Sequence, residues 1–574
     1  MGYYFKFLSF CCFFVGIISF ATAQTNSLLP KNNYEKNYFR WPINAQIGLA
    51  ANFGELRPNH YHMGLDCRSD QAENKDIYAA ADGYIAKVKV EPWGFGQALY
   101  VNHPNGMTTL YAHLNSFYPL LEKYVESKQY EMKSWEVYLD IPAGMFPVKK
   151  GDVIAKSGNT GGSQGPHLHF EVRDTKTDKV LNPLLMGFPI RDITPPDILR
   201  VAVYDRCLST YEQRPKIFTA VRQGSKYTVA GGLITLNTEK VSFAITAWDK
   251  YTGSTNQNGI FQAEQFVDGV PTSGFQLNNI GYDETRYLNA NIDYTTRANG
   301  GPWLQHLSKL AGYNTGVYVT DSSNGVVDLE KGKKKKITIK VGDTNDNISI
   351  LEFDVVMNTI IEKSRPDTSD ISKSFHPGFI NVFDNNKVKF YLPEGAIYDS
   401  FNLKYKEIAS ATGSPIFQIN TATVPLQQFV QFNIRGNFPL ADTGKIVMKR
   451  SYGSKIDYLK ANYNAGWYGA KFREFGNFQL IKDTTPPVVT PIGFVDGMNA
   501  SKLSNITFTV KENSEDLSSF NAYLDGDWIK FSYDKTRYYR YKFDERCGPG
   551  KHTLKIVAVD LVGNTTEKNY TFTR

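Results

Sequence analysis

Cysteine is scarce in this chain: five occur in 574 residues, and two of them, Cys11 and Cys12, lie inside an apolar N-terminal stretch. The other three, Cys67, Cys207 and Cys547, are odd in number and far apart, which excludes a disulfide framework. Excess charge of one sign is also lacking. The net charge of +7 is spread along the chain, with no basic stripe and no aromatic-basic platform, so nucleic acid is not an expected partner. After the first 23 residues no apolar run is long enough to span a bilayer. No His-Glu-x-x-His motif occurs, which excludes a zinc site built on two turns of one helix. Histidine is rare as well, yet six of the nine fall between His60 and His169.

The N-terminus carries one charge, Lys6, in 23 residues, and Phe7 to Phe20 is nearly all apolar. Ala21-Thr22-Ala23 follows with the small residues that a signal peptidase needs. The expectation is a signal peptide over 1–23, a mature start at Gln24, and export to the periplasm, cell envelope or exterior.

A chain of this length predicts roughly four domains, and the hydrophobic pattern is mainly β. From about 38 to 192, short alternating segments such as Tyr84–Val90, Ala98–Val101, Thr108–Tyr111 and Leu168–Val172 are separated by the turn signals Asp82-Gly83, Asn105-Gly106 and Lys150-Gly151-Asp152. This predicts a small antiparallel β domain. Phe117, Leu120, Leu121, Tyr124 and Val125 break the alternation with helical spacing, predicting a helical insertion at about 116–146. It would either wall the cleft after His113 or pack on the sheet.

The rest reads as three β-sandwich modules, at about 193–362, 363–482 and 483–574. Asp192-Ile193-Thr194-Pro195-Pro196 and its near-copy Asp483-Thr484-Thr485-Pro486-Pro487 mark two boundaries, since paired prolines stiffen a linker and cannot extend a ladder. Closing hairpins are predicted at Lys551–Thr573, at Gly332–Val356 and, more loosely, near Val241–Phe266; these echoes suggest repeated immunoglobulin-like sandwiches. Lys331 and Lys333–Lys336 read as solvated lysines guarding an edge strand. Cys67, next to Asp66 in an extended segment, points to the opposite face and reads as a small buried hydrophobe.

The chemistry gathers in five residues: His62 and Asp66, then His113, then His167 and His169. Two neutral imidazoles and a carboxylate are a common way to hold Zn2+ while leaving a position for water. Such an ion polarises a carbonyl and brings the pKa of its water towards neutrality. His62 and Asp66, with three residues between them, could clasp one face of the ion, with His169 as third ligand. His167 shares a strand face with His169, so one can hold metal while the other faces substrate. His113 comes from another strand and could take a proton from the nucleophilic water. His60 shares parity with His62 and competes for the same role. His103, before a Pro-Asn-Gly turn, reads as a surface residue.

The runs His62-Met63-Gly64-Leu65-Asp66, Ala79–Gly83, Tyr111-Ala112-His113-Leu114, Val148–Asp152, Ser157–Gly161 and Gly165–Glu171 together resemble the lysostaphin/LytM-type zinc metallopeptidases, over about residues 40–190. The resemblance implies His62, Asp66 and His169 as zinc ligands, and His113 and His167 as the catalytic pair. It also implies a small antiparallel β domain with a groove over the metal, and peptidoglycan peptide cross-links as substrate. The insertion at 116–146 departs from the family pattern. A non-catalytic or latent regulator of cell-wall enzymes is the alternative, with cell-envelope proteins or polymers as partners for the sandwiches.

Overall fold

The computed structural model describes residues 27–358, 373–514 and 516–574. The expected signal peptide lies outside them. Among the described residues no helix is long and apolar enough to cross a membrane.

The chain is mainly β. Its first domain is built on an antiparallel sheet whose strands run in the order Leu49–Ala51, Leu65–Arg68, His167–Asp174, Met107–Ala112, Gln97–Asn102, Gly83–Val90 and Val137–Asp140. A three-stranded sheet of Asp76–Tyr78, Val153–Ser157 and Leu114–Phe117 covers one face. Alternation supplies the core: Ile85, Val88, Leu99, Val101, Leu168 and Phe170 are buried. The strand His167–Asp174 is central. Its register sets His169 opposite Asp66 on one side and opposite Ala112 on the other.

The insertion forms one helix, Pro119–Met132, opened by a proline at its first turn and closed at Lys133 in the left-handed conformation. Its buried stripe is Leu121, Val125 and Gln129, a spacing of four. Leu120 is 69% exposed and Phe117 belongs to the preceding strand, so the apolar face is narrower than the sequence spacing suggested. The helix packs on the flanking strands Leu114–Phe117 and Val137–Asp140.

The second unit pairs two sheets. One holds Lys216–Thr219, Asp197–Asp205, Lys240–Trp248 and Gln305–His306; the other centres on Ile348–Met357, Lys334–Gly342, Gln262–Val267 and Val270–Gln276. The hairpin near the Gly332 turn forms, with Lys334 facing Val356. The one expected near Val241–Phe266 does not: Lys240–Trp248 and Gln262–Val267 lie in different sheets, and the connection between them crosses the sandwich. The lysine run lies at the locally open end of an otherwise internal strand. Lys334–Lys336 pair with Asp354–Val356 on one side, while on the other side the ladder with Gln262–Val267 begins only at Ile337, so the lysines project from a solvated end that is open on one flank.

This second unit shares a continuous hydrophobic core with the first domain. The segment before Tyr38 crosses onto it, with Leu28 N donating to Glu264 and Asn32 to Gln276. The third unit, two five-stranded sheets, has its own core around Phe390, Phe432, Phe475 and Phe478. The last, sheets of three and five strands, packs around Phe494, Phe508 and Phe572.

Candidate active site

His62 lies in the loop after the strand His60–Tyr61, and Asp66 in the strand Leu65–Arg68. Between them, Gly64 has no room for a side chain: a Cβ would sit 2.6 Å from the Phe170 carbonyl oxygen and 2.9 Å from the His169 ring. The backbone therefore passes close enough for the three groups to meet. His62 Nε2 is 2.9 Å from Asp66 Oδ1 and 3.1 Å from His169 Nδ1, and His169 Nδ1 is 3.0 Å from Asp66 Oδ1. Ligands on a tetrahedral zinc at about 2.0 Å stand roughly 3.3 Å apart, so the donor set and its spacing fit that ion with a small outward relaxation. His60, exposed and bonded to the Pro58 carbonyl, stays outside the cluster, which removes it as a competing ligand.

His113 bridges the strands Met107–Ala112 and Leu114–Phe117 with φ of 62°. A left-handed backbone at a histidine is uncommon and is held only by its surroundings. Here the His113 amide donates to the Phe95 carbonyl and Nδ1 donates to the Thr160 carbonyl at 2.9 Å. The ring is thereby aimed at His167, with centroids 4.8 Å apart. Loop 159–163 is pressed on the Trp93–Gly96 turn: a Cβ on Gly161 would meet the Gly96 nitrogen at 2.3 Å.

The tautomers follow from the acceptors. His62 Nδ1 faces the Asn52 carbonyl at 2.7 Å, His113 Nδ1 the Thr160 carbonyl, and His167 Nδ1 the Gly165 carbonyl at 2.8 Å. A carbonyl only accepts, so each Nδ1 carries the proton and each Nε2 presents a lone pair. His169 is reversed. Its Nε2 faces Glu171 Oε1 at 2.9 Å, leaving Nδ1 turned to the cluster.

Glu171 is completely buried. Arg173 Nε donates to its Oε2 at 2.7 Å and the Tyr282 hydroxyl donates to its Oε1. Burial alone would lower the His169 pKa, but hydrogen bonds to Asp66 and Glu171 outweigh it and hold the imidazole up to about 9. The same two carboxylates favour a bound cation in the proton's place. Burial raises the Asp66 pKa, but its contacts with His62, His167 and His169 outweigh this and leave it well below the ordinary carboxylate range. His113 is pushed down to about 3 by burial and by the neighbouring His169 and His167, so it is neutral across physiological pH.

Of the residues singled out in sequence, His62, Asp66, His113, His167 and His169 come together. His103 does not belong to the surface as expected: it is buried, donates from Nδ1 to the Asp82 carbonyl at 2.8 Å and meets Thr109 Oγ1 through Nε2 at 2.8 Å. The Pro-Asn-Gly turn beyond it is exposed, but the ring folds back under the sheet. Cys67 is fully buried, its Sγ facing the Leu65 carbonyl. Reading the sequence missed Glu171, Arg173 and Tyr282. Parity along His167–Asp174 puts Glu171 and Arg173 on the His169 face; nothing local marks Tyr282.

The model of peptidase family M23 matches residues 60–130 and 143–183. These residues form an M23 peptidase domain. The unmatched stretch between the two blocks lies inside the insertion. A second family model, the Zu5-like domain, matches 373–483. The M23 region is 32% identical over 136 residues to the DD-carboxypeptidase/endopeptidase Mpg of Neisseria gonorrhoeae, covering 24% of this chain and 25% of that protein. It is 30% identical over 163 residues to the cell division protein DipM of Caulobacter vibrioides, covering 28% and 22%. The chain thus spans about a quarter of the length of the curated relatives it matches. The catalytic domain of lysostaphin from Staphylococcus simulans aligns at 20% identity and a TM-score of 0.18, over 24% of this chain and 90% of that one.

The M23 domain does not stand alone. Lys530 Nζ reaches Glu126 and Gln129 on the inserted helix, both at 3.1 Å, and Tyr130 meets Asp544. Tyr533 donates to Glu136, and Lys535 Nζ donates to the Ser163 carbonyl, in the loop that leads to His167. The insertion therefore serves as a dock for the last module, and that module touches the rim of the site. A cleft of about 700 Å³ lies between them, lined by Trp93 and Trp135 on one side and Phe520 and Trp528 on the other.

Proposed function

We propose that this chain is an exported zinc metalloendopeptidase that hydrolyses peptide cross-links of bacterial peptidoglycan. The observation that carries it is the convergence of His62 Nε2, Asp66 Oδ1 and His169 Nδ1 beside the paired rings of His113 and His167. Similarity of this region to peptidases of the M23 family supports the reaction class. In this reading the three ligands hold Zn2+, which supplies Lewis acidity and a water acidic enough to be deprotonated near neutral pH.

The chain's own groups do the rest. His113, neutral and with its Nε2 lone pair inward, takes the proton of the attacking water. His167 Nε2, 3.4 Å from Asp66 Oδ1, stands across from it, so that the two rings flank the position of the reacting carbonyl. Both rings are locked by backbone carbonyls, so neither must reorient during reaction.

The test is digestion of purified, cross-linked peptidoglycan with products read by mass spectrometry. New peptide termini that appear with the zinc-loaded chain and vanish in His113→Ala and His169→Ala establish the activity. Equal products from those variants refute it. The second reading, a latent or regulatory form, is favoured by the contact of Lys535 and Tyr533 with the rim and the insertion.

A further inference from the structure

Two groups of carboxylates recur outside the M23 site, each with two buried members and one half-buried: Asp192 (half-buried), Asp249 and Asp343, and then Asp483, Glu512 (half-buried) and Asp560. In each group one oxygen per residue lies within 4.8 Å of the others. They are the same construction made twice. Asp192 and Asp483 open the two Pro-Pro linkers. Asp249 and Glu512 each follow directly on a strand, Lys240–Trp248 and Asn505–Lys511.

The third member in each group heads an Asp-x-x-x-Asn loop in a closing hairpin. Asp343 Oδ1 accepts from the Asn345 and Asn347 amides, and Asn347 Nδ2 donates to Asp343 Oδ2 at 2.7 Å and to the Asp192 carbonyl at 3.4 Å. Asp560 Oδ1 accepts from the Val562 and Asn564 amides, and Asn564 Nδ2 donates to Asp560 Oδ2 at 2.7 Å and to the Asp483 carbonyl at 3.2 Å. Two residues on, Ser349 and Thr566 donate to the carbonyls of Pro196 and Pro487.

Hydrogen bonds do not exhaust these carboxylates. Asp249 Oδ1, on a residue 6% exposed, and Asp483 Oδ2, on a residue 3% exposed, are buried with no donor, as is Glu512 Oε2. An ionised oxygen so placed is costly unless a cation meets it. The adjacent lysines do not: Lys250 pairs with Asp197, and Lys445 bonds Asn564 Oδ1. Burial and the charges of Asp343 and Asp192 push the Asp249 carboxyl up to about 8.

We propose that each cluster binds one calcium ion, pinning the Asp-x-x-Pro-Pro linker to the sandwich that follows it. The donors are all oxygen, which selects hard divalent cations over transition metals. Three carboxylates suit calcium, whose bonds of about 2.3–2.6 Å let ligands stand up to roughly 5 Å apart. Magnesium, at about 2.1 Å, closes to roughly 4 Å and keeps most of its waters.

The test uses the full chain, stripped with chelator, returned to one equivalent of zinc and titrated calorimetrically with CaCl2 and separately with MgCl2. The expected result is two calcium ions per chain, a higher melting temperature with calcium, and weaker or no response to magnesium. Asp249→Asn and Asp483→Asn are each expected to retain one ion, and the double variant none. Absence of calcium binding up to millimolar concentration overturns the proposal. So does undiminished binding by the double variant, or magnesium bound as tightly as calcium. Should one variant fail to fold, the wild-type stoichiometry and the other variant still decide.

Discussion

Four imidazoles at the M23 site each direct one nitrogen outward to a fixed acceptor and one inward, and this division of labour predicts separable defects. His113→Ala should retain stoichiometric zinc but lose about 10²–10⁴-fold in turnover, as expected for removal of a general base; metal analysis alongside peptidoglycan digestion checks both. Glu171→Gln should leave the ligands in place yet weaken zinc binding by about 10–100-fold, because the carboxylate that orients His169 and raises its basicity is gone. A competitive chelator titration reads that loss directly. The five site residues were legible in sequence because reactive side chains at fixed spacing carry their own signal. Glu171 needed the strand register to be noticed. Tyr282 was invisible, since 111 positions separate it from the carboxylate it bonds.

His103 makes a different residue-scale prediction. Burial lowers its pKa below the ordinary 6.5, offset in part by Asp82. The unfolded chain therefore takes up a proton near pH 6.5 that the native ring resists. The stability that the neutral ring contributes is complete above that pH and is lost as pH falls through it. His103→Gln, which keeps a donor and an acceptor without titrating, should narrow the gap in melting temperature between pH 7.5 and 5.5. The same gap in both proteins would assign the acid sensitivity elsewhere.

Among the elements, the inserted helix separates what periodicity reveals from what it hides. Apolar spacing located it within a few residues, yet Leu120 and Leu121 look equivalent in sequence and differ completely in burial. Only the strands beneath decide which way a helix turns its narrow stripe. Leu121→Ala should cost about 2–4 kcal/mol in denaturant unfolding, whereas Leu120→Ala should stay within about 0.5 kcal/mol. The strands were legible by alternation, but sheet membership was not. Lys240–Trp248 and Gln262–Val267 read as one hairpin and fold into two sheets, because neighbours in sequence need not be neighbours in a ladder.

At the scale of the whole molecule, the sequence showed linkers but not contacts. Nothing in the Pro-Pro boundaries indicates that the first two units share a core, or that the last module returns to the M23 rim across some 370 positions. That return places Lys535 on the loop that leads to His167. If the contact restrains access to the groove, Tyr533→Ala combined with Lys535→Ala should raise peptidoglycan turnover several-fold without changing zinc content. Unchanged turnover in the folded variant would leave the module a structural role alone.

Tyr282 has a consequence of another kind. Its hydroxyl comes from the second unit, while Glu171 and His169 belong to the first. Without it Glu171 is a donor short and His169 less firmly held; His62 depends on the second unit in the same way, since the Asn52 that accepts from it is bonded to Gly259. The surroundings of both histidines are therefore completed only at the junction of the two units, and the first domain without the second would lack both supports.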